Sequence, residues 1–431
     1  MMNFYRTMAA LYDLVLYRNL LNDPALKLCA ELAEDDDEQQ ARGRYYEVCS
    51  YLLAYYEKKP FYHDLWKNYV IGHMIEDENP FSRACERGVL TEQYSSLQKL
   101  ARHDLARLLD LYHLNWTDLG QKLGFAKAGC LMSYEAPASC ELPFFFRSAV
   151  QHLLDSFNHS SSLTDSIAVL MEFYAQHGSG SLAAYQAFYW DDGLVGIPYP
   201  DPIRLDQIIG YDEQKEILIR NTRAFLKGQG GNHVLLYGDR GTGKSSSVKA
   251  LLHEFAPWGL RMVEMDRGRL MEFNRLIHTL RNRAGYYIVF IDDLSFEDFE
   301  VEYKYLKGYI EGSLEAPADN VRLYVTSNRR HLIRETWSER QQGDEIHVRD
   351  ARQEKLSFAD RFGLMLTYPA PDQDQYLLMV RKMARREGLN YSQDQLDRMA
   401  LQWELGFHGR SGRSAQQFIN DLKSRAAIEL E

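Results

Sequence analysis

Cysteine is scarce and poorly placed for chemistry. The 431 residues hold five, Cys29, Cys49, Cys85, Cys130 and Cys140, all within the first 200. None stands in a CxxC pair, and no Cys/His spacing suits zinc. A sparse, odd set in a chain of this length reads as buried thiols of a cytosolic protein, not as a disulfide framework. Long apolar runs are missing as well. None approaches the roughly 18–20 residues that a membrane helix needs. The opening stretch MMNFYRTMAALYDLVLYRNLLND interrupts its apolar residues with charges and Asn, so it lacks a signal-peptide pattern. An excess of positive charge is also absent. Lys plus Arg is 50 against 61 Asp plus Glu, a net charge of −11, which argues against a nonspecific nucleic-acid coat. The expectation is a soluble cytoplasmic protein.

What is present is enough apolar content for ordinary cores. Hydrophobic residues make up 45%, which excludes wholesale disorder. At roughly 100–200 residues per domain, the length implies two or three domains. The charge is uneven: residues 1–200 hold 16 Lys and Arg against 26 Asp and Glu, and residues 201–431 hold 34 against 35. The halves therefore read as different domains. Residues 1–177 place apolar residues at i, i+3, i+4 and i+7, as in YYEVCSYLLAYY and SIAVLMEFYAQH, and predict an all-helical N-terminal domain. Its aromatics fall at helical spacing and read as core. The acidic run Glu34–Glu38 reads as a solvated loop or a dock for a basic partner. Residues 178–205 mix Gly and Ser with aromatics and with Pro198, Pro200 and Pro202, which predicts an ordered connector.

From about residue 206 to 370 apolar strands alternate with helices. NHVLLYG, LRMVEM, YYIVFID and VRLYVTSN are near-continuous apolar runs, the mark of a parallel sheet covered on both faces. Beyond Pro369 and Pro371 the pattern is helical again, so residues 371–431 form a small C-terminal bundle.

One stretch carries a specific chemistry. Gly238-Asp239-Arg240-Gly241-Thr242-Gly243-Lys244-Ser245 matches GxxxxGK[ST] in full, after the strand HVLLY and before a helix. Glycines let the backbone wrap phosphate oxygens and turn successive N–H groups inward. The helix N-terminus beyond, at Ser246, adds its positive end. Lys244 reaches the β- and γ-phosphates of ATP, and the Ser245 hydroxyl holds Mg²⁺. Asp292 ends a buried strand about 50 residues later, where a carboxylate completes the Mg²⁺ shell. Asp293 follows, at a position where many nucleoside triphosphatases carry a glutamate that orients water. Either Asp293 or Glu297 fills that role.

These motifs in this order, with VRLYVTSN between them in the sheet, resemble the AAA+ ATPases over about residues 203–425. The resemblance implies an α/β P-loop AAA+ core whose C-terminal bundle is a lid. It implies that Asn328 senses the γ-phosphate or the attacking water. It sets Ile208, Ile209 and Gly210 against adenine. It gives Arg413, in GRSGRSAQQF, a lid role toward the phosphates. It makes Arg361, in LSFADRFGL, the arginine offered to a neighbouring subunit, with Arg329, Arg330 and Arg334 as competitors. A nearer resemblance is to the bacterial AAA+ proteins of domain of unknown function 815. It is carried by GYDEQKEILIRNTRAFLKG, LLYGDRGTGKSSSVKALL, IDDLSFEDFEVEYKYLKGYIEG, VTSNRRHL, EKLSFADRFGL and SGRSAQQF. That family implies ATP binding and a helical N-terminal region, and no substrate.

The Asp-Asp pair is similar to the replication-initiator and helicase-loader branch, some of whose members use ATP as an assembly switch. EMDRGRLMEFNRL contains Leu270 and Phe273 but no aromatic–hydrophobic–Gly tripeptide, against a threading unfoldase. RKMARRE places Arg381, Lys382 and Arg385 on one helix side with Arg386 beyond, either a solvated face or a nucleic-acid contact. The reading is therefore an ATP hydrolase that assembles into shared-site oligomers and remodels a protein partner chosen by the N-terminal domain. The alternative is a nucleotide-gated loader or adaptor with very slow hydrolysis. A P-loop kinase would leave Asn328, Arg361 and Arg413 unexplained.

Overall fold

The computed structural model describes residues 2–32, 37–89, 95–131, 134–135, 144–159, 162–294, 306, 308–310, 316–328, 361–406 and 409–428. Glu297, Arg329, Arg330, Arg334, Cys140 and Glu34–Asp36 lie outside them. The chain forms two compact units. One comprises Met1–Tyr185 with Asn282–Gly285, the other Gln186–Arg281 with Tyr286–Glu431.

The first unit is helical: α1 Met2–Ala9, α2 Pro24–Leu32, α3 Glu38–Lys58, α4 Leu65–Glu76, α5 Pro80–Glu86, α6 Ser95–Tyr112, α7 Trp116–Lys122, α8 Phe144–His159, α9 Leu163–His177 and α10 Ser181–Ala184. Short side chains start these helices. Asp37 caps α3, Asp64 caps α4 and Asn79 forms a reciprocal box with Ser82 ahead of α5. Asp37 is thus the part of the acidic run whose job is visible. The aromatics are core, as their spacing implies: Trp116 stacks on Trp66 at 4.5 Å and on Tyr45 at 4.9 Å. Asp104 of α6 is fully buried, and its carboxylate accepts the backbone N–H groups of Val15, Leu16 and Tyr17. Cys29, Cys49 and Cys85 are buried, but Cys130 is exposed. That corrects the expectation of buried thiols, because the turn Ala128–Leu131 leaves its side chain outside the core. Arg283 belongs to this unit although it lies between two elements of the other. Its guanidinium donates to Glu86, Glu78 and the Ser179 carbonyl, and Glu86 also accepts from the Ser179 amide and hydroxyl.

The second unit is built on a sheet of seven described strands: β1 Ala187–Trp190, β2 Leu194–Gly196, β3 Val234–Gly238, β4 Leu260–Glu264, β5 Tyr286–Ile291, β6 Val321–Ser327 and β7 Leu364–Tyr368. Their order is β2-β1-β4-β5-β6-β3-β7. All neighbours are parallel except β1 and β2. The stretch read as an ordered connector, 178–205, carries two strands, and the second unit begins within it at Gln186, with Phe188 and Trp190 buried. The sequence reading also omits β7. That strand sits at an edge and alternates buried and exposed residues, unlike the continuous apolar runs inside the sheet.

Helices α11 Asp212–Leu226, α12 Lys244–Phe255 and α13 Phe273–Leu280 belong to this core. Helices α14 Gln373–Arg386, α15 Gln393–Gly406 and α16 Gly412–Ile428 pack into a separate apolar cluster around Tyr376, Val380 and Phe418, the lid. Leu270 and Phe273 are buried, so the segment after β4 presents neither as a pore residue. Among the described residues, no helix is long and apolar enough to cross a membrane.

His233, just ahead of β3, accepts the Leu323 amide through Nδ1 at 3.0 Å. Burial, and then the nearby Arg322 charge, push its pKa down to about 4. The unfolded chain takes up this proton near the ordinary value of about 6.5, before the folded one does. Stability should therefore fall as pH drops from about 6.5 to 4, by at most about 3 kcal/mol. Denaturant midpoints measured at both pH values should show this fall, and His233→Gln should show less of it.

Candidate nucleotide site

The site lies where parallel strands end. Gly238 closes β3, Asp292 follows β5, Asn328 follows β6 and Tyr368 closes β7, all at carboxyl ends on one edge of the sheet. Gly238 has φ +135°, and a Cβ there would stand 2.1 Å from the Tyr368 carbonyl oxygen, so only glycine lets the loop leave the sheet beside β7. The loop runs on to Gly243, and α12 starts at Lys244. Asp239 anchors it sideways: its amide donates to the Tyr368 carbonyl, and its carboxylate accepts from Ala370 N at 2.8 Å.

Lys244 is 6% exposed. Its ammonium donates to the carbonyls of Gly238 (3.0 Å) and Asp239 (2.5 Å) and to Asn328 Oδ1 (3.1 Å). Burial pulls its pKa below the ordinary lysine value, while Asp239, Asp293 and Asp292 oppose that shift. The Asn328 amide has a second contact, donating from Nδ2 to Asp293 Oδ1 at 2.5 Å. A neutral side chain thus stands between the cation and the second aspartate. Ser245 Oγ donates to Asp292 Oδ1 at 2.5 Å. These are two hard oxygen donors side by side, which suits Mg²⁺, a cation usually held by one or two protein oxygens and completed by phosphates and water. Among the described residues, no cluster of three or more His, Cys, Asp or Glu side chains forms an all-protein metal cage.

These groups face a cavity of about 980 Å³ between core and lid, large enough for a nucleotide. Of the residues the sequence points to, Ile208, Ile209, Arg240, Gly241, Thr242, Gly243, Lys244, Ser245, Ser246, Asp292, Asp293, Asn328 and Arg413 line it. Gly210, Gly238 and Asp239 stand behind the lining: Gly210, at φ +84°, turns the chain toward Met379, and the other two shape the loop. Arg361 is exposed on the turn before β7 and does not line this chain's cavity. The lid meets the loop directly, since Arg413 N donates to Gly241 O at 3.3 Å.

Sequence reasoning missed several lining residues. Thr326 shares a strand face with Asn328, two residues on, so the alternation in VTSN is a usable signal. Met379, Met383 and Arg386 of α14 also line the cavity, at the i, i+4, i+7 spacing of one helix face. The basic stripe needs correcting accordingly. Arg386 turns to the cavity and to the Asp206 carbonyl, and Arg381 is held by Asp397 across the lid. Two of its four cations are thus engaged within the unit.

The family model described as protein of unknown function (DUF815) matches residues 183–426, more than half of the chain. The chain belongs to the DUF815 family. No curated protein matches it. Among solved structures it is similar to the RuvB Holliday junction branch migration motor of Thermotoga maritima, at 15% identity and a TM-score of 0.37. That match covers 53% of this chain and 66% of that one, so the chain spans just under two thirds of the RuvB chain. It is similar too to the FIGL-1 AAA domain in complex with ADP, at 17% identity and a TM-score of 0.34, over 50% of this chain and 71% of that one. The DUF815 chain has a mostly parallel α/β fold around its glycine loop, with a helical lid after the sheet and a helical region before it.

In this DUF815 chain, Gly238→Ala should cost roughly 2–4 kcal/mol, since it combines a left-handed φ with a backbone clash. Gly259→Ala, at φ +87° with open space around it, should cost roughly 1 kcal/mol. Thermal unfolding of both checks this; equal losses would show that the approach to Tyr368 is not the reason.

Proposed function

We propose that the protein binds and hydrolyses ATP with Mg²⁺ and couples this to the assembly or remodelling of a protein partner. The observation that carries the reading is convergence. Lys244, Ser245, Asp292, Asp293 and Asn328, from three separate segments, face one cavity closed by a lid arginine from a fourth, Arg413. The loop amides between Gly241 and Ser245, with the positive end of α12, would cradle the β- and γ-phosphates. The Lys244 ammonium would exchange its carbonyl partners for phosphate oxygens. Bound Mg²⁺, held by Ser245 and Asp292, supplies charge neutralisation on those phosphates. Ile208 and Ile209, with Met379 and Met383 opposite, offer an apolar slot for the adenine ring. Asp293 would orient the attacking water, with Asn328 relating it to the γ-phosphate.

Arg361 is exposed and does not line its own cavity, which fits delivery of its cation to a neighbouring subunit's γ-phosphoryl group. The functional unit is then an oligomer with shared sites. Its protein partner would be selected by the helical unit, and its place would be the cytoplasm. A specific observation favours slow turnover, as in a nucleotide-gated switch or loader. Asp293 is one methylene shorter than glutamate, and its carboxylate is engaged by Asn328 at 2.5 Å.

Lys244→Ala should abolish ATP binding, read by equilibrium titration; wild-type affinity in that variant would sink the nucleotide assignment. Arg361→Ala should bind ATP normally yet lose at least about tenfold in turnover. Wild-type turnover per molecule should rise with protein concentration. A flat dependence together with normal Arg361→Ala turnover would place the site within one chain.

A further inference from the structure

Thr326 is 1% exposed and borders the cavity. Its hydroxyl donates to Asp292 Oδ1 at 2.5 Å and accepts the Asp293 amide at 2.8 Å. A hydroxyl has one proton, so both partners are fixed in direction: the proton is committed to Asp292 and a lone pair to Asp293. Asp292 Oδ1 also receives Ser245 Oγ at 2.5 Å and the Asp293 amide at 3.1 Å. Among the described residues, all of these donors crowd onto one oxygen of the carboxylate, Oδ1. Asp293 itself is left-handed, with φ +50°, a conformation that needs outside support in a non-glycine residue. That support comes from Thr326 at its amide, Arg267 Nη1 at its carbonyl (3.1 Å) and Asn328 at its carboxylate.

We infer that Thr326 is the positioning residue of the acidic pair. It acts through Asp292 and Asp293, and the inference rests on the nucleotide reading above. Were Ser245 to turn from Asp292 to a bound metal ion, Asp292 would lose one donor. The Thr326 hydroxyl and the Asp293 amide would then remain to hold the carboxylate's orientation. Without the hydroxyl, Asp292 can rotate, and the Asp293 amide keeps only its longer contact. The same group therefore sets the metal ligand and the water-orienting residue together, from the strand that also carries Asn328.

Thr326→Val keeps the side chain's size and removes the hydroxyl, and Thr326→Ser restores it. The probe is N-methylanthraniloyl-ATP fluorescence, titrated first without Mg²⁺ and then with Mg²⁺, alongside steady-state turnover. Thr326→Val should keep the Mg²⁺-free affinity within about twofold. It should raise half-saturating Mg²⁺ roughly tenfold and lower kcat by a similar factor, as loss of an outer-shell partner of a metal ligand does. Thr326→Ser should return both to within about threefold of wild type. A wild-type Mg²⁺ response in Thr326→Val overturns the inference. So does loss of Mg²⁺-free affinity to the Lys244→Ala level, or a serine variant no better than valine. A wild-type protein that binds no probe defeats the nucleotide reading and this inference with it, a result distinct from the other three.

Discussion

Parallel pairing among β5, β6, β3 and β7 decides where the polar groups at their carboxyl ends stand. Val234 is level with Tyr324 on one side and Leu364 on the other, and the register holds to Tyr237 opposite Ser327 and Gly238 opposite Tyr368. On the other side of β6, Ile291 of β5 is level with Val325, so a slip of one residue there would turn Thr326 away from Asp292 and point Ser327 at it. The pairing is secured by apolar burial, since Val234, Leu235, Leu236, Leu323 and Val325 are all buried. The chemistry at the strand ends thus depends on a core that has no chemistry of its own. Gly238 is where that dependence is tightest, because the loop backbone passes the β7 backbone with no room for a methyl group.

Charge in the site is balanced locally rather than by one ion pair. Lys244 faces carbonyl oxygens and an amide oxygen at hydrogen-bond distance, not a carboxylate. Its pKa is lowered because burial outweighs the pull of three nearby aspartates. Such an ammonium is held by neutral dipoles that an anionic ligand can replace. The aspartates are organised by donors in turn: a serine, a threonine, an asparagine and a backbone amide. The acidic pair and the cation therefore stay apart, with Asn328 between them.

The lid completes the cavity through shape as much as through charge. Met379 and Met383 face the segment of Ile208 and Ile209, and unbranched methionine adapts to a flat apolar ring better than a branched side chain would. Arg386 leaves the apparent basic stripe to join this wall, and Arg381 is taken by Asp397. A cluster of like charges along a helix gave no hint of this division. The partners, Asp206 and Asp397, are 180 and 16 residues away in the chain.

Local chemistry in the sequence was sufficient to determine the phosphate loop, the acidic strand end and the helical character of both flanks. A glycine loop between a strand and a helix has few other physical uses, and helical periodicity is a local property. The AAA+ resemblance added Asn328, Arg361, Arg413 and the Ile208–Gly210 segment as candidates, and the fold brings all but Gly210 and Arg361 to the lining of one cavity. Only the tertiary structure showed that residues 187–196 extend the sheet, that β7 is a strand, and that Arg283 is counted with the helical unit. The roles of Thr326 and Arg386 were decided there too. Each depends on a partner distant in sequence, such as Asp292 for Thr326, and periodicity along one segment carries no information about which segment will lie beside it.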